Sequence, residues 1–334
     1  MLFYELACHP DVFNKEYLLE NSVAIKEIFK NITEKGSIAN LNNGKWELII
    51  QEKVAALSED VVKETKLKLQ LQKILKTLQT RRKIIQHNKL EDGTDWLKII
   101  YAEKEDFSAI IHIQTTHDTY DAEDLLDSKL WEELTKTSSG YAIQDEEYIK
   151  SEIGPILHNA RRIDIIDPYF DITKDKYKKP LRIILEALSN KDSTRQVSLA
   201  IHIKNQNNNN EDVVDRTNYL EKWQDTFKNN SNYNIKCTLY VWKEKSQHKM
   251  HDRYIIRDES FCAVLPSGID ERKQNKTVWS DIGYHNIDNV LNDFREESSP
   301  FNLVAEVTMD NIKKASIEEN IQTSSGLRIK ERRR

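Results

Sequence analysis

In "QHKMHDRYIIRDESF", residues 247 to 261, His251, Arg253 and Asp258 fall on an H-x-R-x(4)-D spacing. These residue types suit work on phosphorus. An imidazole with an ordinary pKa of about 6.5 can attack as a nucleophile or carry a proton. A guanidinium can grip two non-bridging oxygens at once. If residues 251 to 258 run extended, side chains alternate, so His251 and Arg253 share one face about 7 Å apart. Ile255 continues that face, while Tyr254 and Ile256 turn to the other and pack. Asp258 breaks the parity and reaches the same place only if the strand end bends. The blander reading is a strand whose outer face happens to be charged. His248, three residues before His251, reads as a solvated neighbour within reach of a phosphate. "IHIKNQNNNN" gives a half-match at His202 and Lys204, but Asn209 stands where the acid belongs, so His202 reads as a structural strand histidine. Trp279 and His285 read as packing residues, and His158 as a surface one.

The elements that must position these groups alternate between strand and helix. "RRIDIIDPYFD" (161–171) is a β-rich run ended by Asp-Pro, and "KPLRIILEALSN" (179–190) is an amphipathic helix with Pro180 in its first turn. "RQVSLAIHIKN" (195–205) is a strand, 206–210 a polar loop, and 211–230 a helix. "YNIKCTLYVWKE" (233–244), "RYII" and "FCAVLPSGID" (261–270) supply further strands. Such an order implies a sheet flanked by helices, with its ligand crevice at the strand ends. Residues 1 to about 95 read as helical instead. Apolar positions at three-to-four spacing run through "EYLLENSVAIKEIFKNITEKG" and close on Gly36. A second amphipathic stretch from Glu52 to His87 reads as one long helix. One or two strands follow in 97–113. His112 and His117, among acidic neighbours, match no metal-ligand spacing.

Composition narrows the classes. A chain of 334 residues fits two domains. Its 8 glycines include no phosphate-binding loop pattern, so no nucleotide cofactor is expected. The three cysteines, Cys8, Cys237 and Cys262, form no C-x-x-C pair, which fits a reducing cytoplasm and no structural zinc. No run approaches the roughly 18 apolar residues of a membrane span. "MLFYELACHPDVF" lacks the basic start of a secretory signal. The net charge of −5 does not advertise nucleic-acid binding, although "RRK" (81–83), "KDKYKK" (174–179) and "RIKERRR" (328–334) are local basic patches. Singly, each reads as a solvated face or a frayed end.

The H-x-R-x(4)-D pattern resembles the H-x-K-x(4)-D signature of the phospholipase D superfamily, with Arg253 replacing the lysine. "IDIIDPYFD" is similar to the first strand of a phospholipase-D-like half. The "HDRY" form resembles single-motif prokaryotic relatives, many of them thought to be nucleases, and also a non-catalytic lipid-binding relative. The resemblance covers about 150 to 310. It implies that His251 attacks phosphorus to give a phosphohistidine, that Arg253 holds a non-bridging oxygen, and that Asp258 is the motif's acid. It makes Ser267 in "PSGID" a candidate donor, and puts Asp167 at the strand end beside the site, orienting a histidine or capping the turn. The superfamily uses two histidines, so a single motif implies a homodimer with the second histidine across a two-fold axis.

The expected layout is a mainly α-helical domain over 1–145, available for partner or dimer contacts. A phospholipase-D-like α/β domain follows over 146–315, then a basic, disordered tail over 316–334. The leading functional expectation is a metal-independent, cytoplasmic phosphodiesterase acting on DNA or RNA, which the resemblance places among prokaryotic defence or mobile-element effectors. The alternatives are a phosphate, nucleic-acid or phospholipid-headgroup binding module with a degenerate site, and a scaffold in which the long helix does the work.

Overall fold

The computed structural model describes residues 2–59, 61–87, 95–102, 104–136, 138–172, 174–188, 196–205, 235–245, 247–270, 276–310 and 327–330. It divides into two compact units, Met1–Thr137 and Ser138–Arg334. Both combine sheets with flanking helices.

The first unit is built on β1 (Tyr4–Cys8), β2 (Gly36–Asn40), β3 (Ile84–Gln86) and β4 (Ala109–Ile111), all parallel, in the order β3-β2-β1-β4. Helices supply most of the described residues here, as expected for residues 1–145, but the parallel sheet at the centre was not expected over 1–95. Every residue of β1 and β2 is buried, including Glu5 and Ser37, so neither strand alternates apolar with polar. β3 and β4 are too short to show a period. Tyr4, Leu6 and Ile38 face a core shared with the helices Ser22–Lys35, Lys45–Ala55 and Val62–Thr80. Ala7, Ala39 and Ile110 turn to the other face, against Ile99 and Ile100 of the helix Trp96–Ala102. Helices on both faces, with the strand order reversing between β1 and β4, make this a doubly wound sheet.

Helix bounds also differ from expectation. The stretch over 16–36 is two helices, Lys15–Glu20 and Ser22–Lys35, parted at Asn21. Gly36 does not cap a helix in the left-handed region. Its backbone is extended and opens β2, and a Cβ there would lie 2.4 Å from the ring of Tyr4. The long helix over 52–87 is likewise two, Lys45–Ala55 and Val62–Thr80. Glu64 accepts the Ser58 N–H at 2.9 Å and pairs with Lys15, which stabilises the break. Arg82, at φ 54, then turns the chain into β3.

The second unit contains β5 (Ala142–Ile143), β6 (Arg162–Ile166), β7 (Val197–Lys204), β8 (Ile235–Lys243), β9 (Tyr254–Arg257), β10 (Phe261–Val264), β11 (Lys276–Thr277), β12 (Ser280–Asp281), β13 (Asn302–Asp310) and β14 (Leu327–Lys330). Eight of these form one sheet in the order β12-β10-β9-β6-β7-β8-β13-β14, and β5 pairs with β11 separately. β6, β7 and β8 are parallel, and β9 runs antiparallel beside β6. Ile166, Ile256, Trp242 and Cys262 face a core with Ile287, Leu291 and Phe301. On the opposite face, Arg257 donates to the carbonyls of Pro155 and Ile156 at the end of the helix Glu146–Leu157.

β14 corrects part of the disordered-tail expectation. It pairs antiparallel with β13, Glu306 opposite Lys330 and Met309 opposite Leu327, because the outer edge of β13 offers unpaired backbone groups. The expected loop over 206–210, helix over 211–230 and remaining tail lie outside the described residues. No helix among the described residues is long and apolar enough to cross a membrane.

Candidate functional site

The β6–β9 register decides which side chains meet. Ile166 lies opposite Tyr254 and Ile163 opposite Arg257, so the start of β9 sits beside the end of β6. That brings Arg253 to Asp167 at the carboxyl edge of the parallel strands, where sheets of this kind hold ligands. The Arg253 Nε lies 3.4 Å from Asp167 Oδ1, and its Nη1 donates to the Pro266 carbonyl. The guanidinium stands 4.8 Å from the centre of the Tyr169 ring, an exposed aromatic. Three contacts on different sides fix one flexible side chain. His251, two residues earlier, is exposed and meets no described hydrogen-bond partner.

Asp167 is nearly sealed, with 2% of its side chain exposed. Its Oδ1 accepts the Tyr169 N–H at 3.0 Å, the local bond expected of Asp before a turn. Its Oδ2 accepts no hydrogen bond among the described residues. Burial pushes the carboxyl pKa up to about 6, and Asp270 adds to the rise against the Tyr169 N–H, Arg253 and Lys176. Gly268 closes the other side. At φ +74 it occupies backbone space that favours glycine, and a Cβ would lie 2.6 Å from Asp167 Oδ2 and 3.1 Å from Arg253 Cδ. Gln144 holds this loop by donating to the carbonyls of Gly268 and Asp270, and Asp270 pairs with Lys176 at 2.9 Å. Ser267 lies between Pro266 and Gly268 in this loop and is half-buried.

Asp258 does not join them. It sits at the far end of β9, about 16 Å along the chain direction from Arg253 at 3.3 Å per residue. Asp258 and Glu259 occupy the left-handed region at φ 49 and φ 55, and the Ser260 N–H donates to the Arg257 carbonyl, as in a tight hairpin turn. Its Oδ1 accepts the backbone N–H groups of Arg161 and Arg162 at 2.9 and 2.8 Å, and its Oδ2 faces Arg257 Nε at 3.5 Å. The strand does not bend, so this carboxylate anchors the start of β6 instead of serving the site. Asp167 holds Arg253 and the following turn, and makes no described contact with a histidine side chain. His248 is exposed beside a short bridge to Lys245, with Asp293 as its electrostatic neighbour.

His202 takes the structural role read from its sequence. It stacks on Tyr240 at 4.8 Å and accepts the Trp242 indole N–H at Nδ1. Its Nε2 faces Asp164 at 3.6 Å. Burial alone would raise the Asp164 pKa, but His202 and the two-pronged Arg162 contact, both bonds at 2.8 Å, bring it below the usual value. Trp279 is buried against Tyr148, while His285 is exposed. The basic patch at 174–179 is compensated, since Lys174, Lys176, Lys178 and Lys179 each pair with a carboxylate. In the 81–83 patch, Arg81 pairs with Glu34, and Lys83 is buried.

Sequence reasoning passed over Tyr169, Pro266 and Gly268, which complete the cluster around Arg253. The signal available was "DPY" at a strand end together with a glycine inside "PSGID". It also passed over the switch point of the first unit, where His9 follows β1 and His112 follows β4. Their rings lie 4.9 Å apart, edge to face, and burial lowers the His9 pKa. No group of three or more potential metal ligands occurs among the described residues. No protein-family model and no curated protein matches the chain.

Proposed function

We propose that the second unit is a phospholipase-D-like phosphodiester site and that the chain is a nuclease. The single observation that carries this reading is a guanidinium held in place at the carboxyl edge of β6, β7 and β8, two residues after an exposed histidine. His251 attacks the phosphorus of a backbone phosphodiester, forming a phosphorus–nitrogen bond as the bond to the leaving oxygen breaks. Arg253 steadies the equatorial oxygens. Water then displaces the imidazole and releases the phosphate end. The leaving oxygen needs a proton, which a second copy of His251 supplies in a homodimer. The superfamily resemblance makes the reaction metal-independent and points to a prokaryotic defence setting, while the local basic patches of the sequence and the lack of an apolar run of membrane-spanning length favour DNA or RNA over lipid.

The test is incubation of labelled single- and double-stranded nucleic acid in EDTA with wild type and His251→Ala. The expected result is cleavage by wild type, an acid-labile phosphoprotein intermediate, and a loss of about 10³-fold or more in the variant. Cleavage unaffected by the substitution would overturn the assignment. A second reading has its own support: Arg253 is already engaged by Asp167 and Pro266, as suits a grip without turnover. Oligonucleotide binding lost in Arg253→Ala, with no cleavage by wild type, would select that binding module.

A further inference from the structure

We propose that Asp167 is the positioning residue of this site: it fixes the plane of the Arg253 guanidinium and governs how much of that charge an incoming phosphate meets. The inference rests on the phosphodiester reading and names a control that the H-x-R-x(4)-D motif does not contain.

The geometry limits where Arg253 can go. Its Nε is committed to Asp167 Oδ1, its Nη1 to the Pro266 carbonyl, and one face to Tyr169. Gly268 leaves no room behind it. The remaining donors must therefore point away from Asp167, Pro266 and Tyr169, which makes the carboxylate the group that aims them. The carboxylate also subtracts from the charge. With Asp167 ionised, the pair is neutral as seen from a distance, whereas with Asp167 protonated the guanidinium stands uncompensated.

The groups that face Asp167 decide when this changes. From the start of β9 comes Arg253, from the loop after β10 comes Asp270, and from the helix Asp175–Leu188 comes Lys176. The Tyr169 N–H belongs to the turn that Asp167 itself begins. Lys176 is largely spent on Asp270, at 2.9 Å. Burial therefore prevails, and the carboxyl gives up its proton near pH 6 instead of near 4. Phosphate affinity and the Asp167 titration are then linked reciprocally, since whatever the anion does to the proton the proton does to the anion.

Two readouts test this. In ¹⁵N-labelled protein, the Arg253 Nε–H resonance, assigned with Arg253→Lys, is expected to move with pH about a midpoint near 6 and to stop moving in Asp167→Asn. A short fluorescein-labelled single-stranded oligonucleotide supplies the second readout, in a His251→Asn background that removes the neighbouring imidazole. Affinity at about pH 5.5 is expected to exceed that at about pH 7.5 by about tenfold for each pH unit by which bound phosphate raises the Asp167 titration. Asp167→Asn should flatten that dependence, while His248 and the lysines titrate alike in both proteins and cancel. An Arg253 resonance that ignores pH, or that titrates unchanged in Asp167→Asn, overturns the inference. A resonance that titrates as expected, in a protein that neither binds nor cleaves any oligonucleotide, overturns the phosphodiester reading instead.

Discussion

Arg253 precedes β9 and Arg257 closes it, and their surroundings differ in kind. Arg257 has 0% of its side chain exposed and is surrounded by the Pro155 and Ile156 carbonyls and Asp258. Arg253 keeps 20% exposed at the carboxyl edge of the parallel strands, two residues after an exposed histidine. One guanidinium ties a strand to a helix end, and the other is presented. The difference comes from strand direction: because β9 runs antiparallel to β6, its first residues reach the ligand edge and its last ones reach the opposite edge. A motif written along the chain mixes the two, so His251 and Arg253 belong to one edge and Asp258 to the other.

That contrast can be broken at three strengths. The largest effect is expected from Arg257→Leu, which leaves Asp258 without its buried cation and the two carbonyls without a donor. A loss of about 3–5 kcal/mol should appear in urea unfolding, and a loss below about 1 kcal/mol would mean the buried end is not the structural one.

Asp167 offers the intermediate case. Its carboxyl moves from an ordinary 3.8 to about 6 on folding, so the native state holds that proton more tightly. The stability this contributes is full below about pH 4 and is lost as pH rises through about 6, which amounts to ~3 kcal/mol if the whole shift is realised. Asp167→Asn should therefore raise the stability by about 1–3 kcal/mol at about pH 7.5 and change it little near pH 4. A uniform effect across that range would show that the carboxyl does not titrate as described.

The smallest stability effect is expected at the open end. His251→Ala should leave the unfolding midpoint within about 0.5 kcal/mol of wild type, because the ring is exposed and bonded to nothing described. A clear destabilisation there would make His251 a structural residue and erase the distinction between the two ends.

How much of this was legible follows from burial and length. β6 through β10 could be placed because they are β-rich runs bounded by turn residues, with the amphipathic helix Asp175–Leu188 between β6 and β7. β1 and β2 could not, since both faces of each are covered and Glu5 interrupts the apolar run. The strong periodicity of the neighbouring helices then dominated the reading of residues 1–95. His251 and Arg253 were singled out as ionisable residues at two-residue spacing; the structure places both just before β9, which starts at Tyr254. Asp258 was misassigned because spacing carries no information about where a strand ends. Tyr169, Pro266 and Gly268 were missed because they come from other segments, and only the register of β6 against β9, with the loop after β10, gathers them.

The Gly268 contact carries a consequence for recognising kin of this chain. Any sequence that keeps Asp167 and Arg253 in their present arrangement must keep a residue without a side chain at position 268, whereas the acid at position 258 answers to the hairpin and to the start of β6. The fingerprint that travels with the site is then discontinuous: an aspartate and a tyrosine at the end of one strand, an arginine leading another, and a glycine in the loop that follows.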